Sequence, residues 1–193
     1  MAKQKLNTFG RVRALEGWKA VAFGAALLER MLPNYTLFCE LTESGDASAL
    51  RNCLNLVWET LKSPKSKFNI AVQLEKVEVA TPDTSEHDNY GVYPAIDAAI
   101  GLAGLLNLMA GDDPQGAVVI SKLSQGSVEA YLLESEEADD ETVKGHPLME
   151  FEVEVQNELL DYVEQAKYPA KAADEMKALA LEAGISNIGL ELQ

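Results

Sequence analysis

Between Tyr93 and Met109 the chain carries a single charged residue, Asp97, and is otherwise apolar or small apart from Asn107. Pro94 stands in the first turn, where a helix tolerates proline best. A helix with no polar face must be covered on all sides by other elements. The stretch falls short of the ~20 apolar residues that cross a bilayer, and it contains Asp97, Asn107 and two glycines, so it reads as a core helix. On both sides of it, apolar residues recur at three and four, the helical spacing. The expectation is an all-α fold, a single-domain bundle of about eight helices over residues 1–193 around a buried central helix.

The neighbouring helices can be placed from their punctuation. From Val12 to Met31, Leu15, Trp18, Ala22, Ala25 and Leu28 share one side. Pro33 is expected to end that helix and Asn34 to cap the next, whose apolar side is Leu37, Phe38 and Leu41 and whose stop is Gly45. Asp46 caps a third helix with Leu50, Cys53, Leu54, Val57, Trp58 and Leu61 as its stripe, and Ser63-Pro64 breaks it. Asn69 starts a fourth, reaching Ala80. After the central helix, Asp113-Pro114 opens one that runs to Leu133. The last two span Pro147–Ala166, with Met149, Val153, Leu160 and Val163 inward, and Pro169–Ala183, stopped by Gly184. Residues 1–11 read as frayed. Residues 185–193 read as an extended tail in which Ile188, Leu190 and Leu192 alternate with other residues.

Charge narrows the partners. The formal net charge is −15, and residues 81–193 hold 23 Asp/Glu against 5 Lys/Arg. Such a surface repels duplexes and anionic headgroups, so neither a nucleic acid nor a membrane is expected as partner. The run of six acids among Glu134–Glu141 is expected to be exposed or mobile. The two cysteines, Cys39 and Cys53, lie on apolar helix sides and read as small buried hydrophobes in a reducing, cytoplasmic compartment. Lys3, Lys5, Arg11 and Arg13 have no apolar run behind them and so make no signal peptide.

Catalytic patterns are sparse. A Ser or Cys nucleophile usually needs a histidine base, and His87 and His146 both sit in polar loop or turn contexts. There is no G-x-S-x-G, no Walker loop and no dinucleotide-binding glycine pattern. Neither histidine has Glu three positions before it, which removes the usual di-iron site. Pairs at i, i+3 occur at Glu40/Glu43, Glu75/Glu78, Glu134/Glu137 and Glu158/Asp161, the spacing of carboxylate-only Mg²⁺ sites. In a chain with 21 glutamates such pairs arise readily by chance. No cofactor and no metal is expected.

Several segments nevertheless resemble one family. Glu29-Arg30-Met31-Leu32-Pro33-Asn34-Tyr35, Leu56-Val57-Trp58-Glu59-Thr60-Leu61, Gln73-Leu74-Glu75-Lys76, Tyr90-Gly91-Val92-Tyr93-Pro94-Ala95-Ile96-Asp97 and Ser186-Asn187-Ile188-Gly189 are similar to the YjaG-like family, bacterial domains of unknown function. The resemblance covers residues 12–190, and the Tyr-Gly-Val-Tyr-Pro-Ala-Ile-Asp string is its most specific part. It implies a bacterial cytoplasmic protein with an all-α fold and brings no catalytic residues.

The function therefore stays unknown at this level. The leading reading is a non-enzymatic cytoplasmic interaction or regulatory module with a protein partner. The alternative is a carboxylate-based metal-dependent enzyme such as an all-α nucleotide pyrophosphatase. The candidate functional patch is the entry to the central helix: Tyr90, Tyr93 and Asp97, with Arg30 and Glu59 as neighbours. Unpaired N–H groups at the helix start and two tyrosines beside them can clasp a ligand. Asp97, a carboxylate in the first turn of a buried helix, must be capped, paired with an arginine such as Arg30 or Arg51, or protonated.

Overall fold

Pro33 does not end a helix. In the computed structural model, which describes residues 6–192, a single helix runs unbroken from Trp18 to Thr42 with Pro33 inside it. A proline removes one backbone donor and disturbs the carbonyls one turn back. In that turn the Arg30 carbonyl accepts the N–H of Asn187, from the far end of the chain, at 3.0 Å. Tertiary contact thus satisfies a backbone group in the turn that the proline opens, and the two helices expected on either side of Pro33 are one.

The described residues form eight α-helices: α1 (Thr8–Arg13), α2 (Trp18–Thr42), α3 (Ala47–Lys62), α4 (Ile70–Ala80), α5 (Val92–Ala110), α6 (Gly116–Glu134), α7 (Pro147–Gln165) and α8 (Pro169–Leu181), with short 3₁₀ turns at Thr84–Glu86 and Val143–Gly145. Asp46 and Asn69 cap their helices as expected, and His146, not expected as a cap, accepts from Leu148 N–H at the start of α7. Asp46 accepts from Ala49 N–H and Asn69 from Val72 N–H. The stripe of α3 is buried throughout. Residues 1–5 and 193 lie outside the described residues. From Thr8 the chain is helical rather than frayed: Asn7 caps α1, Val12 is buried, and Arg11 bonds Asp161 at 2.6 Å and Glu164 at 2.9 Å on α7.

The buried central helix is α5, and α2 shares its place. α5 packs on α2, α4 and α6 and touches α3, and α2 meets α3, α5, α6, α7 and α8. Every residue of α2 from Ala22 to Leu32 is buried. α5 is covered on one side by Ala98, Leu102, Leu105 and Leu106. Its other side opens to solvent, with Ile100 46% exposed. By length and hydropathy α5 is the one described helix able to cross a membrane, and half of that window is buried inside the bundle.

Close packing depends on small residues. A Cβ added at Gly116 would lie 2.8 Å from the Gly104 carbonyl oxygen and 2.8 Å from the Leu108 Cβ. Backbone cannot yield as a side-chain tip can, so α6 would have to move off α5. Gly116→Val is expected to cost about 1–3 kcal/mol, the range of overpacking, read from urea melts. An unchanged midpoint would mean that the two helices are not in contact there.

The tail folds back on itself. Ile185 and Glu191 form an isolated antiparallel bridge, and Ser186 N–H donates to the Leu190 carbonyl at 2.7 Å. Ser186 and Asn187 are fully buried. The expected extended character of residues 185–192 is thus realised as a tight return rather than a loose tail.

Candidate functional site

Three helices and the tail enclose a cleft of about 610 Å³. On α2, Glu29, Pro33, Thr36, Leu37 and Glu40 fall at helical spacing on one face, and Arg51 and Asn55 of α3 and Lys177 and Leu181 of α8 do the same at i, i+4. Leu190, Glu191 and Leu192 of the tail form the remaining wall. Asn187 fixes that wall: its side chain donates to the Ser124 carbonyl on α6 and accepts from Asn34 on α2 at 2.8 Å.

The floor of the cleft is Glu29, whose side chain is only 2% exposed. Its Oε1 accepts from Trp58 Nε1 at 2.8 Å and Arg51 Nη1 at 2.9 Å, and Lys177 Nζ stands 3.8 Å away. A buried carboxylate is tolerable only with such partners. Arg51 and Lys177, which both line the cleft, remain 39% and 38% exposed. The site sets five apolar side chains, Pro33, Leu37, Leu181, Leu190 and Leu192, beside a hydrogen-bonded carboxylate, two cations and the further acids Glu40 and Glu191, a mixed lining with a few convergent polar groups.

Arg30 and Glu59 do not join the predicted patch. Arg30, the neighbour of Glu29, faces the opposite way into the bundle. There it pairs with Glu152 of α7 at 2.8 Å, with both side chains sealed from solvent. Glu152 also accepts from Ser124 at 2.6 Å and from Gln156 at 3.0 Å, and Gln156 accepts from Ser121 at 2.6 Å. Glu59 is exposed on α3, and its side chain makes no hydrogen bond or ion pair among the described residues. The partner of Asp97 is not Arg30 or Arg51 but Ser127, whose hydroxyl donates at 2.5 Å. Arg51 serves Glu29 instead.

The structure does bring Tyr90, Tyr93 and Asp97 together. The Tyr90 ring lies 5.7 Å from that of Tyr93 and 6.5 Å from that of Tyr131. The Tyr90 hydroxyl is buried without a partner among the described residues, and burial pushes it up to about 12, aided by the charge of Asp97. Burial likewise raises the Asp97 carboxyl above its ordinary range, with the Ser127 hydrogen bond opposing. An acid raised on folding binds more protons folded than unfolded. Its contribution is therefore most favourable below the ordinary carboxylate value of ~3.9 and is lost as pH rises through the higher folded value. Asparagine keeps an acceptor for Ser127 and has no charge to bury. Asp97→Asn is expected to melt no lower than the parent at neutral pH, with any advantage shrinking as pH falls toward ~4. Thermal melts across that range check this, and a clear loss at neutral pH would contradict it.

The cleft and the buried Arg30–Glu152 pair were not singled out from sequence as sites. Their signal was the adjacent pair Glu29-Arg30 inside the otherwise apolar stretch from Ala20 to Pro33, together with serines at 121, 124 and 127, one per turn of α6. Among the described residues no group of three or more His, Cys, Asp or Glu is placed to hold a metal ion. Asp161 of the Glu158/Asp161 pair is bonded to Arg11.

Comparison with known proteins places this geometry in context. A family model described as "Protein of unknown function (DUF416)" matches residues 7–191. The chain is 39% identical over 189 residues to "Uncharacterized protein YjaG" of Escherichia coli K12, covering 95% of each, and equally similar to that of Salmonella typhimurium. An uncharacterized protein of Haemophilus influenzae is 38% identical over 187 residues. The crystal structure of a DUF416 family protein from Shewanella baltica OS155 superposes with a TM-score of 0.90 at 39% identity, covering 97% of this chain and all of that one.

Proposed function

The chain belongs to the DUF416 family of proteins of unknown function, and we propose that it is a cytoplasmic binding module whose cleft between α2, α3, α8 and the tail takes up a small molecule with an apolar body and a polar head. The observation that carries this reading is the floor of the cleft, where a nearly sealed carboxylate and two half-exposed cations meet an apolar wall. Burying a charge in a cleft has a cost that a purely structural ion pair would avoid on the surface, and a few convergent polar groups beside apolar side chains mark ligand sites.

The enzymatic alternative has one observation on its side: Glu29, Glu40 and Glu191 all line the cleft. Against it, Arg51 and Lys177 already compensate Glu29, and two cations at the floor repel a divalent ion.

The test uses 8-anilinonaphthalene-1-sulfonate, an apolar anion whose fluorescence rises on binding. The intact protein is expected to bind it saturably at one site. Leu37→Asp, a change at an exposed wall residue, is expected to weaken binding by roughly tenfold, the cost of a charge set against an apolar ligand. No saturable signal, or equal affinity in the variant with its helical circular dichroism intact, overturns the reading.

A further inference from the structure

We propose that the ligand of this cleft is a free α-amino acid with an aliphatic side chain, its ammonium on Glu29 Oε2 and its carboxylate between Arg51 and Lys177. This rests on the cleft being the binding site. The hydrogen bonds that Glu29 accepts, and the near approach of Lys177, all fall on one oxygen, Oε1. Oε2 accepts none from the described residues, and it is not among the buried atoms sealed off without a partner, which are Arg30 Nη1, Asn34 Oδ1 and Tyr90 OH. An open acceptor on an ionised carboxylate calls for a donor, best a charged one.

The cations are also only partly used. Arg51 donates through Nη1 to Glu29 and, at 3.5 Å, to Asn55, and its other nitrogens donate to no described residue. Lys177 at 3.8 Å is beyond hydrogen-bond distance of Glu29. Two positive heads therefore approach the same oxygen of Glu29, and its other oxygen stands beside them as an open acceptor. A ligand that answers both needs must carry an anion and a donor within two bonds of each other. The α-carbon of an amino acid does this with its carboxylate and ammonium. Pro33, Leu37, Leu181, Leu190 and Leu192 then face the side chain, which favours an aliphatic one.

Other ligand chemistries fit less well. A phosphate dianion would bring two negative charges up to Glu29, with Glu40 and Glu191 also lining the cleft. A simple amine would leave the arginine and lysine uncompensated. A fatty acid would leave the Glu29 oxygen unpaired, and sites built around a hydrogen bond reject analogues that lack it.

The experiment is isothermal titration of the full chain with L-leucine, with 4-methylpentanoate, which lacks the ammonium, and with 3-methylbutylamine, which lacks the carboxylate. L-Leucine is expected to bind one to one and each analogue at least roughly tenfold more weakly. Arg51→Met and Lys177→Met, both at half-exposed positions, are expected to weaken L-leucine while leaving the circular dichroism unchanged. Equal affinity for all three ligands overturns the proposal, as does unchanged L-leucine affinity in both variants. The fluorescent anion separates the two levels of inference. If it binds in a Leu37→Asp-sensitive way and L-leucine neither binds nor displaces it, the amino-acid inference fails and the cleft stands. If neither binds, the cleft itself fails.

Discussion

Glu152→Ala is expected to cost about 3–5 kcal/mol of stability, the range found when one partner of a buried ion pair is removed. The reason is what stays behind. The Arg30 guanidinium is sealed inside the bundle, and Glu152 is its one carboxylate partner among the described residues, bonded through Nη2 at 2.8 Å and Nε at 3.3 Å. The same carboxylate holds Ser124 and Gln156. Truncation therefore strands a full charge where water cannot reach it and takes one partner from Ser124 and one from Gln156, which keep their bonds to Asn187 and Ser121. The pair itself need not be stabilising, because desolvating both ions offsets much of their attraction. Replacing both, as Arg30→Met with Glu152→Leu, is expected to recover a large part of the loss. Urea melts at neutral pH measure each variant. A loss under about 1 kcal/mol for Glu152→Ala would show that Arg30 reaches solvent or another anion.

Leu105→Ala is expected to cost about 2–5 kcal/mol, and Ile100→Ala less than about 1 kcal/mol. Both residues lie on α5 and differ in what covers them. Leu105 is fully buried and its Cδ1 lies 3.0 Å from where a Cβ on Gly24 of α2 would stand, so its loss opens a cavity at the contact of the two central helices. Ile100 is half exposed and leaves little void. Equal losses at the two positions would mean that α5 is covered all round, as its composition alone suggests.

That contrast shows where sequence reasoning reaches and where it stops. Helices whose ends carry a side-chain cap or a proline were legible at α3, α4, α7 and α8, because those signals act within one turn of the chain. The continuity of α2 through Pro33 was not, because one carbonyl of that turn is satisfied by Asn187, more than 150 residues away. Asp97 was legible as a buried acid needing a partner, though it is half-buried and stands in the second turn of α5 rather than the first, because α5 starts at Val92. That the partner is Ser127 depends on how α6 lies against α5, which no local pattern specifies. The divergence of Glu29 and Arg30 follows from helix geometry, since neighbouring residues point about 100° apart. Which of them faces a cleft and which a salt bridge depends on α7 and α8 being in place. The cleft is assembled from four separate stretches of chain, and each taken alone reads as an ordinary amphipathic face.

The claim that this cleft is the binding site is tested most directly by mapping amide ¹H–¹⁵N shifts of the full chain during titration with 8-anilinonaphthalene-1-sulfonate. The shifts are predicted to cluster at Thr36, Leu37, Asn55, Lys177 and Leu190, which line the cleft. Shifts concentrated instead at Tyr90, Tyr93, Asp97 and Ser127, with the cleft residues unmoved, would contradict it.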